Sequence, residues 1–252
     1  MAGGRVPSGG QIVTTAFPLG AGVAGKVLFV NKVGSDGWVS AGRRNDPGKR
    51  VALHKYTKVT LIETQGGRTF FKVADGHAKG QVLFLSDHNA TEHLGSKAPT
   101  KAAAAIEITY GKYVQGWVSA ARGGQKLDQQ MATLKVGNLT VEVTMNSVWG
   151  TGFTPLAPGK YSVLLPDAPH NKDMTRFYRD TEPKLKFDQV WFPIKHGDNS
   201  RFIHVGNVSD GCVTVLDLAR WADVHEALIS HRDPASDRIG ELEIKGKPER
   251  AS

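Results

Sequence analysis

Arg201-Phe202-Ile203-His204-Val205-Gly206-Asn207-Val208-Ser209-Asp210-Gly211-Cys212-Val213-Thr214 places a histidine near the end of an apolar strand and a cysteine just beyond a glycine-bounded loop. The pattern after Cys212 reads as helical, so the thiol is expected near a helix N-terminus, whose positive dipole end would lower its pKa. A nearby imidazole would lower it further and could protonate a leaving amine. Gly206 and Gly211 permit tight turns and close approach of a substrate. Backbone N–H groups at Gly211 and Cys212 are candidates for an oxyanion hole. Each residue also has a plainer reading. A lone cysteine is usually a small buried hydrophobe, and His204 can be a hydrogen-bonded strand residue. Ser209 either bonds within a site or shapes the turn. Asn207 either orients His204 or fills a left-handed turn position. Arg201 either meets a carboxylate or is a solvated charge. His196, followed by Gly197, is a competing base.

Downstream, Leu218, Trp221, Ala222 and Leu228 share one face at helical spacing over 217–231, with Asp217 or Thr214 as N-cap and Asp233-Pro234 as the stop. Trp221 is a core residue on this reading, and 239–244 is a last strand. Upstream, 134–136 and 139–145 bracket Gly137-Asn138, a two-residue hairpin signal. In the second arm Leu139, Val141 and Val143 alternate with Thr140, Glu142 and Thr144, the period of a half-buried strand. Gly150-Thr151-Gly152, Thr154-Pro155 and Pro158-Gly159-Lys160-Tyr161 follow, then a charged loop over 167–186 and an apolar run over 190–194.

The N-terminal half shows strand-like runs at 26–31, 37–40, 58–63, 69–73 and 81–85. They are separated by Ser35-Asp36-Gly37, Asp46-Pro47-Gly48, Gly66-Gly67 and Asp75-Gly76. Five short strands with glycine-rich turns suggest a small barrel over 24–90. Residues 1–23 read as a flexible arm and 91–130 as a linker with a connecting strand. The C-terminal domain occupies 131–252. The expected class is mainly β.

The 252 residues carry a formal net charge of +8. That balance favours anionic partners without choosing among nucleic acid, anionic lipid and acidic wall polymer. No aromatic-interleaved basic motif is present, so no specific nucleic-acid binding is expected. One cysteine excludes an intramolecular disulfide and a cysteine-based zinc site. His54, His77, His88 and His93 lack metal-ligand spacing, so neither metal nor cofactor is expected. No stretch approaches the roughly 18 apolar residues of a membrane span, and 1–11 lacks the apolar core of a signal peptide.

Arg-x-Ile-His-x-Gly-Asn followed by Ser-Asp-Gly-Cys-Val resembles the active-site signature of L,D-transpeptidase catalytic domains, in which His and Gly precede a loop and Ser/Thr-His-Gly-Cys. Gly150 to Tyr161 resembles the family's upstream "G…TP-x-G-x-Y" element, and the likeness extends over about 130–246. It implies a β-sandwich or barrel with one helix after the cysteine. It also implies a thiol that attacks a peptidoglycan stem peptide and passes the acyl group to an amine or to water. Cys212, His204, Ser209 and Gly211 would be catalytic, with Asn207, Gly206 and Arg201 binding substrate. Three features depart from the pattern: Asp210 replaces the second His, Thr214 stands where an Arg often follows, and the His-to-Cys loop is short. The compact form resembles phage-associated members and exported antibacterial toxins. These settings imply action at the wall or periplasm after non-classical export, and an immunity or delivery protein as partner. A wall-binding or phage structural protein with a degenerate site is the non-catalytic alternative. Papain-like wall peptidases place Cys before His, the reverse of the order here. Residues 24–90 resemble a bacterial SH3-like wall-targeting module through Tyr56 to Glu63, Phe70-Phe71-Lys72-Val73 and Gly80-Gln81-Val82-Leu83.

Overall fold

The computed structural model describes residues 24–197 and 200–252; the expected arm at 1–23 lies outside the described residues. The chain is mainly β, with two sheets and few helices.

The N-terminal unit comprises β1 (Val27–Val30), β2 (Trp38–Arg43), β3 (Asp46–His54), β4 (Lys58–Gln65), β5 (Arg68–Val73), β6 (Val82–Ser86), helix α1 (Asp87–His93) and the short β7 (Leu94–Gly95). Hydrogen bonding runs β3-β2-β6-β5-β4-β1-β7, an open order with β3 and β7 at its edges rather than a closed ring. Alternation explains its core. Leu28, Val39, Leu53, Val59, Phe71 and Leu83, with their neighbours two residues along, point inward and meet in one buried cluster. Strand β3 was hidden by Asp46-Pro47-Gly48, which reads as a turn. The turn is instead at Arg44-Asn45, and Pro47 sits in a sheet-edge strand, where its missing N–H costs no ladder bond.

The C-terminal unit is a closed eight-stranded barrel. Its strands are β8 (Ala104–Ser119), β9 (Gln125–Val136), β10 (Leu139–Asn146), β11 (Gly159–Leu164), β12 (Phe192–Ile194), β13 (Arg201–Val205), β14 (Val213–Val215) and β15 (Arg238–Lys245), and they close in the order β10-β14-β13-β12-β11-β15-β8-β9. Helices α2 (Tyr178–Thr181) and α3 (Trp221–Ile229) interrupt the sequence. The stretch expected as linker therefore contributes two barrel strands, and the barrel begins at Ala104. Gly123 and Gly124, in the polar stretch 120–130, lie in the turn between the two strands, while register shifts between Tyr110 and Tyr113, and between Val114 and Trp117, accommodate Gly111 and Gly116.

The two units share a core. Trp38 and Tyr56 of the first are buried in the cluster of the second. Trp38 Nε1 donates to the Gln189 carbonyl at 3.3 Å, and Tyr56 Oη to Glu226 Oε1 at 3.0 Å. Thr100 N–H donates to the Ser230 carbonyl and accepts at its own carbonyl from Arg232 N–H, so the connecting segment is stitched to the end of α3.

Candidate active site

The apolar run that holds His204 is β13, and it pairs in parallel with β14, His204 opposite Thr214. Parallel neighbours usually need a long crossover. Here the return spans only a three-residue strand, roughly 10 Å, so the loop 206–212 suffices. Ile203, Val205, Val213 and Val215 point into the barrel core. Phe202, His204, Cys212 and Thr214 fall on the other face.

The loop is fixed at each turn. Gly206 lies against Tyr178, whose hydroxyl would stand 3.1 Å from a Cβ there. Asn207 N–H donates to Tyr178 Oη at 2.8 Å, its Oδ1 accepts from Ser119 Oγ at 2.7 Å, and its carbonyl accepts from Gln129 Nε2. Ser209 Oγ donates to the Cys212 carbonyl at 2.7 Å, and Ser209 N–H donates to Ser147 Oγ. Asn207 and Ser209 thus clamp the loop. Gly211 has φ +79°, and its N–H donates to Asn146 Oδ1 at 3.1 Å. That amide is occupied, which removes it from the oxyanion role expected for it.

His204 is buried, with Nδ1 3.0 Å from the Val205 carbonyl. A carbonyl only accepts, so Nδ1 carries the proton and Nε2 offers its lone pair to Thr214 Oγ1–H at 3.1 Å. The indole of Trp191 stacks on the imidazole at 4.0 Å and 14°, and His170 stacks on Trp191 at 4.0 Å and 11°. Two near-parallel rings that close to one indole must occupy opposite faces, so Trp191 is sandwiched. Burial lowers the His204 pKa to about 4; the Val205 carbonyl opposes the fall and His170 adds to it.

Cys212 is buried ahead of a strand, not a helix. Val213, Thr214 and Val215 are β-branched and extend β14, and α3 starts only at Trp221. The expected dipole effect is therefore absent. Burial pushes the thiol up to about 11, against the Phe202 amide donating to sulfur and the nearby Arg201 charge, with Asp210 raising it further. No hydrogen bond joins His204 to Cys212 among the described residues. Cys212 lies two residues before Thr214, the residue level with His204, so it is a diagonal and not a level neighbour of the imidazole. Arg201 stacks on Phe153 at 4.9 Å, and its Nη1 donates to Ser200 Oγ.

A cavity of about 480 Å³ opens over this face. His204, Cys212, Trp191 and Phe202 line it together with Phe153, Tyr178 and the exposed Met174. His196 is exposed, rests near Tyr161 at 5.9 Å and does not line the cavity, whereas His204 does. Sequence reasoning missed Asn146, Ser147, Tyr178, Trp191 and the contact of Thr214. The first four lie on other elements and carried no local motif; Thr214 lies within the motif, but its contact depends on the register of β13 and β14. No group of three His, Cys, Asp or Glu side chains is placed to hold a metal among the described residues.

Compared with known proteins, the chain matches no family model, no curated protein and no solved structure.

Proposed function

We propose that the chain is a cysteine acyltransferase or peptidase of the L,D-transpeptidase type, acting on peptidoglycan stem peptides, with Cys212 as nucleophile and His204 as base. The observation that carries this reading is that the imidazole, on β13, and the thiol, just ahead of the adjacent β14, line one cavity. The wall peptide as acyl donor rests on the sequence resemblance.

The resting pair is neutral thiol and neutral imidazole. Attack needs the Cys212 proton to pass to His204 Nε2 as sulfur bonds the carbonyl carbon. Thr214 must first release Nε2, and its hydroxyl has a second acceptor in the Val208 carbonyl at 3.4 Å. The imidazolium then protonates the departing amine, leaving a thioester on Cys212. An amine or water, deprotonated by His204, attacks that thioester and regenerates the thiol. Trp191 holds the imidazole plane throughout.

Incubation with tetrapeptide-bearing muropeptides is expected to give trimmed, exchanged or cross-linked products with wild type and none with Cys212→Ala. Identical product profiles for the two proteins would sink the proposal. A non-catalytic wall-binding role is the second reading, favoured by the occupied Gly211 amide and the Thr214–His204 bond. It predicts sedimentation with sacculi, unchanged in Cys212→Ala, without turnover.

A further inference from the structure

The outer face of the N-terminal sheet is cationic. On β5, Arg68, Phe70 and Lys72 alternate with the inward Thr69, Phe71 and Val73. Register sets Phe70 beside Phe84 of β6, and Phe84 beside Gly42 of β2, which in turn opposes Arg50 of β3. The Arg44 guanidinium lies 4.9 Å over the Phe70 ring and that of Arg68 lies 4.6 Å over Phe84. Lys72 opposes Thr60, two residues along β4 from Lys58. Lys58 then enters the cleft between the two units, a cavity of about 560 Å³ that Lys101 and Lys79 also line.

Most acids near this stripe are already paired with a cation; Asp87, beside Arg68, instead accepts from Thr69 Oγ1 at 2.8 Å. Glu63 pairs with Arg44 at 2.7 Å, Asp237 with Lys79 at 3.5 Å, Asp75 with Arg232 at 3.7 Å, and Asp233 with Arg238. Among the described residues, Arg50, Arg68, Lys72, Lys58 and Lys101 have no such carboxylate partner. The run from Arg68 to the cleft covers roughly 20 Å at strand rise, which suits a chain of anions better than one small anion. Base stacking needs open aromatic faces. Phe70 and Phe84 are only 9% and 7% exposed, roofed by arginines.

We infer that this stripe binds an extended phosphodiester polymer without nucleobases, of the poly(glycerol phosphate) kind. Attraction is by charge, independent of Cys212. The test measures affinity of the full chain for poly(glycerol phosphate) across salt concentrations, with single-stranded DNA of equal charge in parallel. The log–log plot is expected to fall linearly. Arg68→Gln with Lys72→Gln is expected to flatten its slope by about 1.4, at about 0.7 per lost phosphate contact. Lys58→Gln with Lys101→Gln should act alike, giving a second variant pair at separate exposed positions. Cys212→Ala should bind as wild type, and DNA no more tightly than poly(glycerol phosphate), since no open aromatic face adds stacking. Absence of binding at about 50 mM salt, slopes unchanged in both variant pairs, or tighter binding of DNA would each overturn the inference.

Discussion

Alkylation of Cys212 as a function of pH tests the neutral resting pair directly, because the chain has a single cysteine and the readout is unambiguous. With the thiol at about 11, only about 0.03% is thiolate at pH 7.5, against about 9% for a free cysteine near 8.5. That is roughly a 300-fold deficit. A more basic thiolate is intrinsically more nucleophilic, and a Brønsted coefficient of about 0.45 returns roughly tenfold. Iodoacetamide should therefore modify Cys212 more than tenfold slower than free cysteine at pH 7.5, before any loss from burial. Steric exclusion scales the whole curve but does not bend it, so the shape is the diagnostic. The rate is expected to climb about tenfold per pH unit from 7 to 10 with no plateau. Mass spectrometry of the intact chain measures it. His204→Ala should change the profile little, since a neutral imidazole supplies no charge to the thiol. A plateau beginning near pH 6, abolished in His204→Ala, would show a thiolate–imidazolium pair and refute the argument.

Two predictions concern stability. Burial holds His54 at about 3, His204 at about 4 and His225 at about 3, whereas each titrates near 6.5 in the unfolded chain. The unfolded state thus takes up protons first, so stability falls with falling pH, by about 4 kcal/mol between pH 7.5 and 5.5 for the three together; urea midpoints at the two pH values should separate clearly, and coincident midpoints would contradict neutral burial. Gly211→Ala puts a Cβ 2.5 Å from the Thr154 carbonyl oxygen at φ +79°, for a cost of at least about 2 kcal/mol, whereas Gly123→Ala, at φ +65° in open space, should cost only about 1 kcal/mol; equal denaturation midpoints for the two variants would remove the packing argument.

Much of the architecture was written in periodicity. The alternation over β10, the Gly137-Asn138 turn and the helical face around Trp221 appear where local sequence places them, while Asp217 caps not α3 but the 3-10 turn Leu218–Arg220 ahead of it, its Oδ1 accepting from Arg220 N–H at 3.2 Å. The N-terminal strands appear likewise, apart from β3 behind Pro47 and the short β7. The misreading after Cys212 had a local remedy: three consecutive residues of which all are β-branched favour a strand over the first turn of a helix. The hairpin of β8 and β9 had none. Its glycines argue for a loop in any short window, and only pairing over 10 registered positions makes it barrel wall.

The site was legible as far as one dimension allows. Residues of equal parity on β13 must share a face, so strand alternation alone puts His204 with Phe202. Which residue of the next strand stands opposite is a register fact, and register is set by the return loop and by what clamps it. Ser147 and Asn146, 62 and 65 residues away in sequence, hold Ser209 and Gly211. That clamp brings Thr214, rather than Cys212, level with His204. A slip of two residues toward the cysteine would keep every side chain on its face and set thiol against imidazole. The clamp therefore governs the distance between the Cys212 thiol and the His204 imidazole, and Thr214 occupies the lone pair that the distance leaves open.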